Sequence, residues 1–334
     1  MKKLLIAAAM IAAPLSAMAD EPLQLKFGSA VPQISWPNQM GVLPWAQKVE
    51  QDSGGAVHFT LFAGGQVVNS KNGLDRMKNG IVDALYGTVA DTPGQFLRTD
   101  VSSMPFETNR SIDASTALWR LYEKGFISME FTDVHPLAIF VFNASRFHSN
   151  KPISKIEDIK GLKVAVFSKM LSEISNDLGA VPVTVATTEI YETMQRNLAQ
   201  LCIMGWTGTQ TFKIDEVTKF HLDAPLGSSP GYMLMSKESY AKLPAAVKAA
   251  VDKNAGLPFT QLMGNNSDTV EAQVRERTQN KPGHTVAELS PAELARWKTM
   301  VAPLVDEWVK ATPDGTKVLA AYRAELADIR SKTH

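Results

Sequence analysis

The chain has 334 residues, with 34 Lys plus Arg against 34 Asp plus Glu and a single cysteine, Cys202. The balanced charge, without a basic patch or a recognition motif, argues against a nucleic-acid partner. One cysteine excludes an internal disulfide, so a large core must stabilise the chain, and this length usually makes two domains.

Residues 1–19 read as a signal peptide. "MKK" is the positive start, "LLIAAAMIAAPLSA" the apolar run, and Ala17-Met18-Ala19 a small-x-small cleavage site. The run is too short for a comfortable membrane span. Cleavage after Ala19 predicts an exported chain that starts at Asp20 in a bacterial periplasm. No later stretch is long and apolar enough to span a bilayer; "HPLAIFVFNA" has strand length.

The first element is a strand, "LQLKFGSAV", alternating at Leu23, Leu25 and Phe27. Polar and turn-forming residues precede a helix through Trp45 and Val49, which Gly54-Gly55 ends. "AVHFTLF" alternates again, and "LDRMKNGIVDALYGT" reads as helix, turn and strand. This β-α-β-α-β order predicts a mainly parallel sheet covered by helices. The pattern then restarts. "HPLAIFVFNA" is a strand of the kind buried on both faces, followed by the strand "GLKVAVF", a helix capped by Ser168, the strand "VPVTVA", a helix over "TTEIYETMQRN" and the strand "QLCIMGW". The expected fold is α/β: two lobes of mainly parallel sheet flanked by helices, with a cleft between them. The last third is mostly helical. A run from Lys242 to about Gln279 is interrupted near Gly256-Leu257-Pro258, and a capping box at Ser290-Pro291-Ala292-Glu293 opens the next helix. Trp297 and Trp308 recur at helical spacing and read as core.

Catalytic patterns are missing: no Gly-x-Ser-x-Gly elbow, P-loop, Gly-x-Gly-x-x-Gly turn or His-Glu-x-x-His. The six histidines are scattered, with no close-spaced pair, so a metal site would need distant segments. Cys202 sits in an apolar strand, where cysteine behaves as a small hydrophobe. Ser239-x-x-Lys242 leads into an amphipathic helix and reads as coincidence. No enzyme, metal or cofactor is expected; a hinged ligand trap fits these features best.

Several segments, in order over about residues 23–280, resemble the substrate-binding subunits of TRAP (tripartite ATP-independent periplasmic) transporters of the DctP type. They are "LKFGSAVP", "SGGAVHFTLFAGGQV", "MKNGIVDALYGT", "SSMPF", "ISKIEDIKGLKVAV" and "LGAVPVTVATTEIYETMQ". The resemblance implies two lobes joined by crossing strands and by a long helix spanning both. It divides the chain into residues 20–143 with about 229–270, and 144–228 with about 271–334, hinged near 143 and 228. It also implies closure around one small organic ligand, delivery to a TRAP membrane permease driven by an ion gradient, and a monomeric receptor.

The chain departs from this family where the ligand is expected. In typical members the strand after Gly-Leu-Lys carries an arginine that pairs with the ligand's carboxylate; here that position is Ala165, and the usual following proline is Phe167. Arg146 is the candidate replacement. The resemblance also places Tyr86, Thr88 and Asp91 of the first lobe at the cleft, together with Trp36, Gly205, Trp206 and Thr207. Asp91 reads equally as a turn cap, since Asp-Thr-Pro is good turn chemistry. Trp36 and Trp206 each read equally as cleft wall or core; both at the cleft, they would form an aromatic box. A neutral or aromatic solute, rather than a typical dicarboxylate, ranks first. A carboxylate held by Arg146 and a cation held by Asp91 and the tryptophans follow. A stand-alone sensor receptor and an exported enzyme on the same fold are the other function classes.

Overall fold

The computed structural model describes residues 21–333. The signal peptide assigned to residues 1–19, its cleavage after Ala19 and the start at Asp20 lie outside the described residues.

The chain begins with β1 (Leu23–Ser29), α1 (Leu43–Asp52), β2 (Val57–Phe62), α2 (Gly73–Lys78), β3 (Ala84–Thr88), α3 (Ser111–Glu123) and β4 (Val134–Val141). Alternation drives β1: Leu25 and Phe27 are buried while Gln24 and Lys26 are exposed. It crosses to a second lobe through β5 (Arg146–Ser149), β6 (Lys163–Val166), α4 (Lys169–Asp177), β7 (Val181–Thr184), α5 (Ile190–Gln195), β8 (Leu201–Met204), α6 (Trp206–Thr211) and β9 (Phe220–Leu222). Ser168 caps α4 by accepting from the Leu171 amide at 3.3 Å. The chain then returns through β10 (Pro230–Ser236), α7 (Lys237–Ala241) and α8 (Ala245–Asn254). It ends with α9 (Leu257–Gln279), β11 (Thr285–Ala287), α10 (Pro291–Ala311) and α11 (Gly315–Thr333).

The first sheet has the order β2-β1-β3-β10-β4 and the second β11-β9-β5-β8-β6-β7. Each is built on parallel βαβ units, with β1 beside β2 and β3, and β6 beside β7 and β8. The strands that cross between lobes make both sheets mixed: β10 runs antiparallel to β3 and β4, and β5 antiparallel to β8 and β9.

The two crossings run side by side. The Phe142 amide donates to Ser229 O at 2.9 Å, and Leu226 N donates to Ser145 O at 3.1 Å. Gly227 has φ +127°, and a Cβ there would sit 2.6 Å from Ser103 O, so only glycine fits the crossing.

At 23 residues, α9 is about 35 Å long, enough to pass both lobes. It packs on α3 and β4 of the first and on α6 and β11 of the second. After it, α10 packs on α4, and Trp297 meets Phe147 edge to face at 5.6 Å. The sequence assigned all of 271–334 to the second lobe, but α11 lies on α3 of the first. Buried Tyr322 and Leu326 join a core cluster that runs through both lobes, and Arg120 on α3 pairs with Glu325 at 3.1 Å and Asp328 at 2.9 Å. Among the described residues, no helix is long and apolar enough to cross a membrane.

Candidate functional site

A cavity lies between the lobes, where the carboxyl ends of strands from both sheets meet. Ala30 follows β1, Thr88 ends β3, Phe167 follows β6 and Gly205 follows β8; all four line it. This is the usual ligand position in open α/β sheets. About 80 Å³ is open to the centre of a water-sized sphere. One water needs about 10–15 Å³ on that measure, so the space suits one small molecule.

The wall is largely aromatic: Trp36 and Tyr86 come from the first lobe, Phe142 from a crossing, and Phe167 and Phe212 from the second lobe, with Met204 beside them. Trp36 stands edge-on to Phe142 at 5.8 Å and to Phe140 at 6.3 Å, which fixes the indole plane. Asn143, Thr88, Thr187, Thr207 and Thr211 supply polar groups. Among the described residues, no Lys, Arg or His lines the cavity, and Asp91 is its one carboxylate.

Asp91 fills both roles the sequence left open. Its Oδ2 caps the turn after β3, accepting from the Thr88 amide at 3.1 Å and the Thr88 hydroxyl at 3.0 Å, while the side chain lines the cavity. Burial pushes its pKa up to about 6, opposed by the two Thr88 bonds.

Of the ten residues proposed for the site, Trp36, Tyr86, Thr88, Asp91, Phe167, Gly205 and Thr207 are brought together around this cavity. The structure places Arg146, Ala165 and Trp206 elsewhere. Ala165 is fully buried beneath the wall, packed with Ile190, Met194, Cys202, Met204 and Ile214, and its side chain does not reach the cavity. Arg146 is turned away from the cavity, to where Asp223 takes its Nε and the carbonyl oxygens of Ala144 and Ser145 take its Nη1. It is a buried ion-paired group there and not a cleft ligand. Trp206 is turned into the core against the rings of His148 at 4.9 Å and His221 at 5.2 Å, so the expected pairing with Trp36 does not form.

Sequence spacing also missed a row of three histidines. His148 Nδ1 lies 2.8 Å from His221 Nδ1, and His221 Nε2 lies 3.1 Å from His284 Nδ1. His148 Nε2, 3.0 Å from Met204 O, must donate to that carbonyl. This assignment makes its Nδ1 an acceptor and orients every later hydrogen bond in the row. Burial pushes His148 down to about 4, and burial together with its two histidine neighbours pushes His221 down to about 2. The described residues contain no group of three or more His, Cys, Asp or Glu suited to a metal ion. Burial pushes the Cys202 thiol well above its ordinary value, which disfavours the reactive thiolate.

The sequence pattern of the bacterial extracellular solute-binding proteins, family 7 (DctP), matches residues 27–311. The chain belongs to this family. It is 25% identical to the C4-dicarboxylate-binding periplasmic protein DctP of Rhodobacter capsulatus, over 92% of each chain. Among solved structures, it superposes on a marine metagenome TRAP solute-binding protein specific for aromatic acid ligands, in complex with 3-hydroxybenzoate. The TM-score there is 0.87 at 25% identity, covering 92% of this chain and 98% of that one. A TRAP solute-binding protein from Rhodoferax ferrireducens, with copurified benzoate, gives a TM-score of 0.88 at 25% identity, covering 93% and 100%. These matches identify the chain as a TRAP-type solute receptor of the two-lobed fold.

Proposed function

We propose that this receptor works in the periplasm as a monomer, closes around one small aromatic solute, and delivers it to a TRAP-type membrane permease. The observation that carries the ligand class is the cavity wall. Trp36, Phe142, Phe167 and Phe212 surround a space for one small molecule, and among the described residues no cationic side chain lines it. A dicarboxylate would bring two negative charges into that space beside Asp91, with no counter-charge to offset their desolvation. The aromatic acids held by two similar receptors support a ring-shaped ligand.

The test is a thermal-shift series with 3-hydroxybenzoate, benzoate, succinate and sialic acid. Ligand at 100 times its Kd adds about 2.7 kcal/mol. In a chain of this size that raises Tm by roughly 5 °C. An aromatic probe should reach this rise while succinate and sialic acid leave Tm unchanged. Stabilisation by succinate alone overturns the reading. Export is checked separately: the periplasmic protein should begin at Asp20.

A further inference from the structure

The cavity has one polar corner that an apolar ring does not fill. Both protein hydrogen bonds of Asp91 fall on Oδ2, and among the described residues no bond is made to Oδ1. Among the described residues, no cationic side chain lines the cavity beside it. Tyr86 on β3 and Tyr232 on β10 both lie close to it, and burial, reinforced by the Asp91 carboxylate, keeps their hydroxyls protonated. Lys71 and Glu189 border the adjoining hollow, but they face each other at 3.9 Å across the mouth. Arg146 is engaged by Asp223 and does not line the cavity. When the lobes close and exclude water, a donor carried by the ligand can satisfy Oδ1.

We propose that Asp91 sets the specificity of the cavity: its Oδ1 accepts a hydrogen bond from an N–H or O–H group carried on, or one carbon from, the ligand's aromatic ring. An arylalkyl ammonium fits best, because it also neutralises the carboxylate and lies against the faces of aromatic side chains. A ring hydroxyl offers the same hydrogen bond without the charge. A ligand whose only polar group is a carboxylate is disfavoured wherever Asp91 is ionised. This assignment rests on the aromatic-solute reading above and narrows it.

Isothermal titration with benzylamine, benzyl alcohol and benzoate at pH 5 and pH 8 tests it, on the native protein and on Asp91→Asn. At pH 8 benzylamine should bind at least about tenfold more tightly than benzoate, as expected of a charge-assisted hydrogen bond. Between pH 5 and pH 8 benzylamine should gain affinity and benzoate lose it, because Asp91 ionises near pH 6 in this structure. Asn at 91 keeps an acceptor for the Thr88 turn. It should preserve benzyl alcohol binding within about threefold, weaken benzylamine about tenfold or more, and flatten both pH profiles. The profile of the native protein is informative whether or not the variant folds. Benzoate binding as tightly as benzylamine at pH 8, with no pH dependence, overturns the role of Asp91 and leaves the aromatic reading intact. No binding of any of the three probes, with succinate bound, overturns both.

Discussion

Removing Asp223 should expose what Arg146 does. Arg146 is 8% exposed, and Asp223 is the carboxylate that takes its Nε. Asp223→Ala leaves the guanidinium buried with only the backbone carbonyls of Ala144 and Ser145. Breaking one side of a buried pair costs about 3–5 kcal/mol. The lower end applies, because Glu271 lies close enough to interact electrostatically with Arg146. Arg275, the other partner of Asp223, is more exposed and keeps Glu288 at 2.9 Å. The expected loss is therefore about 3 kcal/mol, or a fall of roughly 6 °C in Tm. Arg146→Met together with Asp223→Ala removes both charges from the interior and should recover at least half of that loss. Urea midpoints followed by tryptophan fluorescence measure all three variants, and titration with 3-hydroxybenzoate should give an affinity for Arg146→Met within about threefold of the native value. A loss below about 1 kcal/mol for Asp223→Ala, or a double variant as unstable as the sum of the singles, refutes the reasoning.

Other substitutions test the remaining placements. Ala165→Arg should cost at least about 3 kcal/mol in urea unfolding and create no succinate binding, because it forces a charge into an apolar cluster beneath the cavity. Trp206 carries a buried Nε1 without a hydrogen-bond partner; Trp206→Phe should stay within about 1.5 kcal/mol of the native protein, whereas Trp206→Ala should lose about 3–5 kcal/mol. Burial raises Glu271 from its usual 4.5 to about 7, so its contribution to stability is full below pH 4.5 and is lost as pH rises through 7. Glu271→Gln, which keeps the acceptor for the Thr207 amide, should therefore gain up to about 3 kcal/mol over the native protein at pH 8 and no more than about 1 kcal/mol at pH 5. His148 has the opposite sign. Lowered from 6.5 to about 4, it contributes fully above pH 6.5 and loses up to about 3 kcal/mol as pH falls through 4. His148→Gln should flatten that acid limb in pH-dependent denaturation.

The repeating strand-helix order was legible because each unit keeps its own period: "LQLKFGS" alternates along β1, and Met170 and Ile174 mark the buried face of α4. β10 was not legible. "PGYMLMS" holds a proline, a glycine and two methionines, yet it lies inside the first sheet because both neighbouring strands hydrogen-bond to it. The cavity divided in the same way. Residues just past a strand end, such as Thr88, Phe167 and Gly205, can be placed by topology alone. Phe142, Asn143 and Phe212 were missed; a polar Asn two residues past the end of the long apolar strand β4 was the available signal for Asn143. Arg146 and Asp223 lie 77 residues apart, and the three histidines are separated by 73 and 63, so no spacing rule connects them.

The long helix α9 carries two carboxylates three residues apart. Asp268 accepts from the Ser111 and Ile112 amides at the start of α3, at 2.7 and 3.0 Å, and from the Asn143 side chain at 2.6 Å. Glu271 accepts from the Thr207 amide at the start of α6, at 3.0 Å. One helix turn, about 5 Å of axis, thus clamps the positive end of a helix from each lobe. Asn143 and Thr207 are cavity residues bound to that same turn. The back of the binding site is therefore tied to both lobes at one point, the placement that a fulcrum for lobe rotation requires. Rotation of one lobe against the other leaves this part of the wall nearly stationary and carries its full travel to the far rim, where Lys71 faces Glu189. A solute gripped at the fulcrum side can stay seated while the rim swings open.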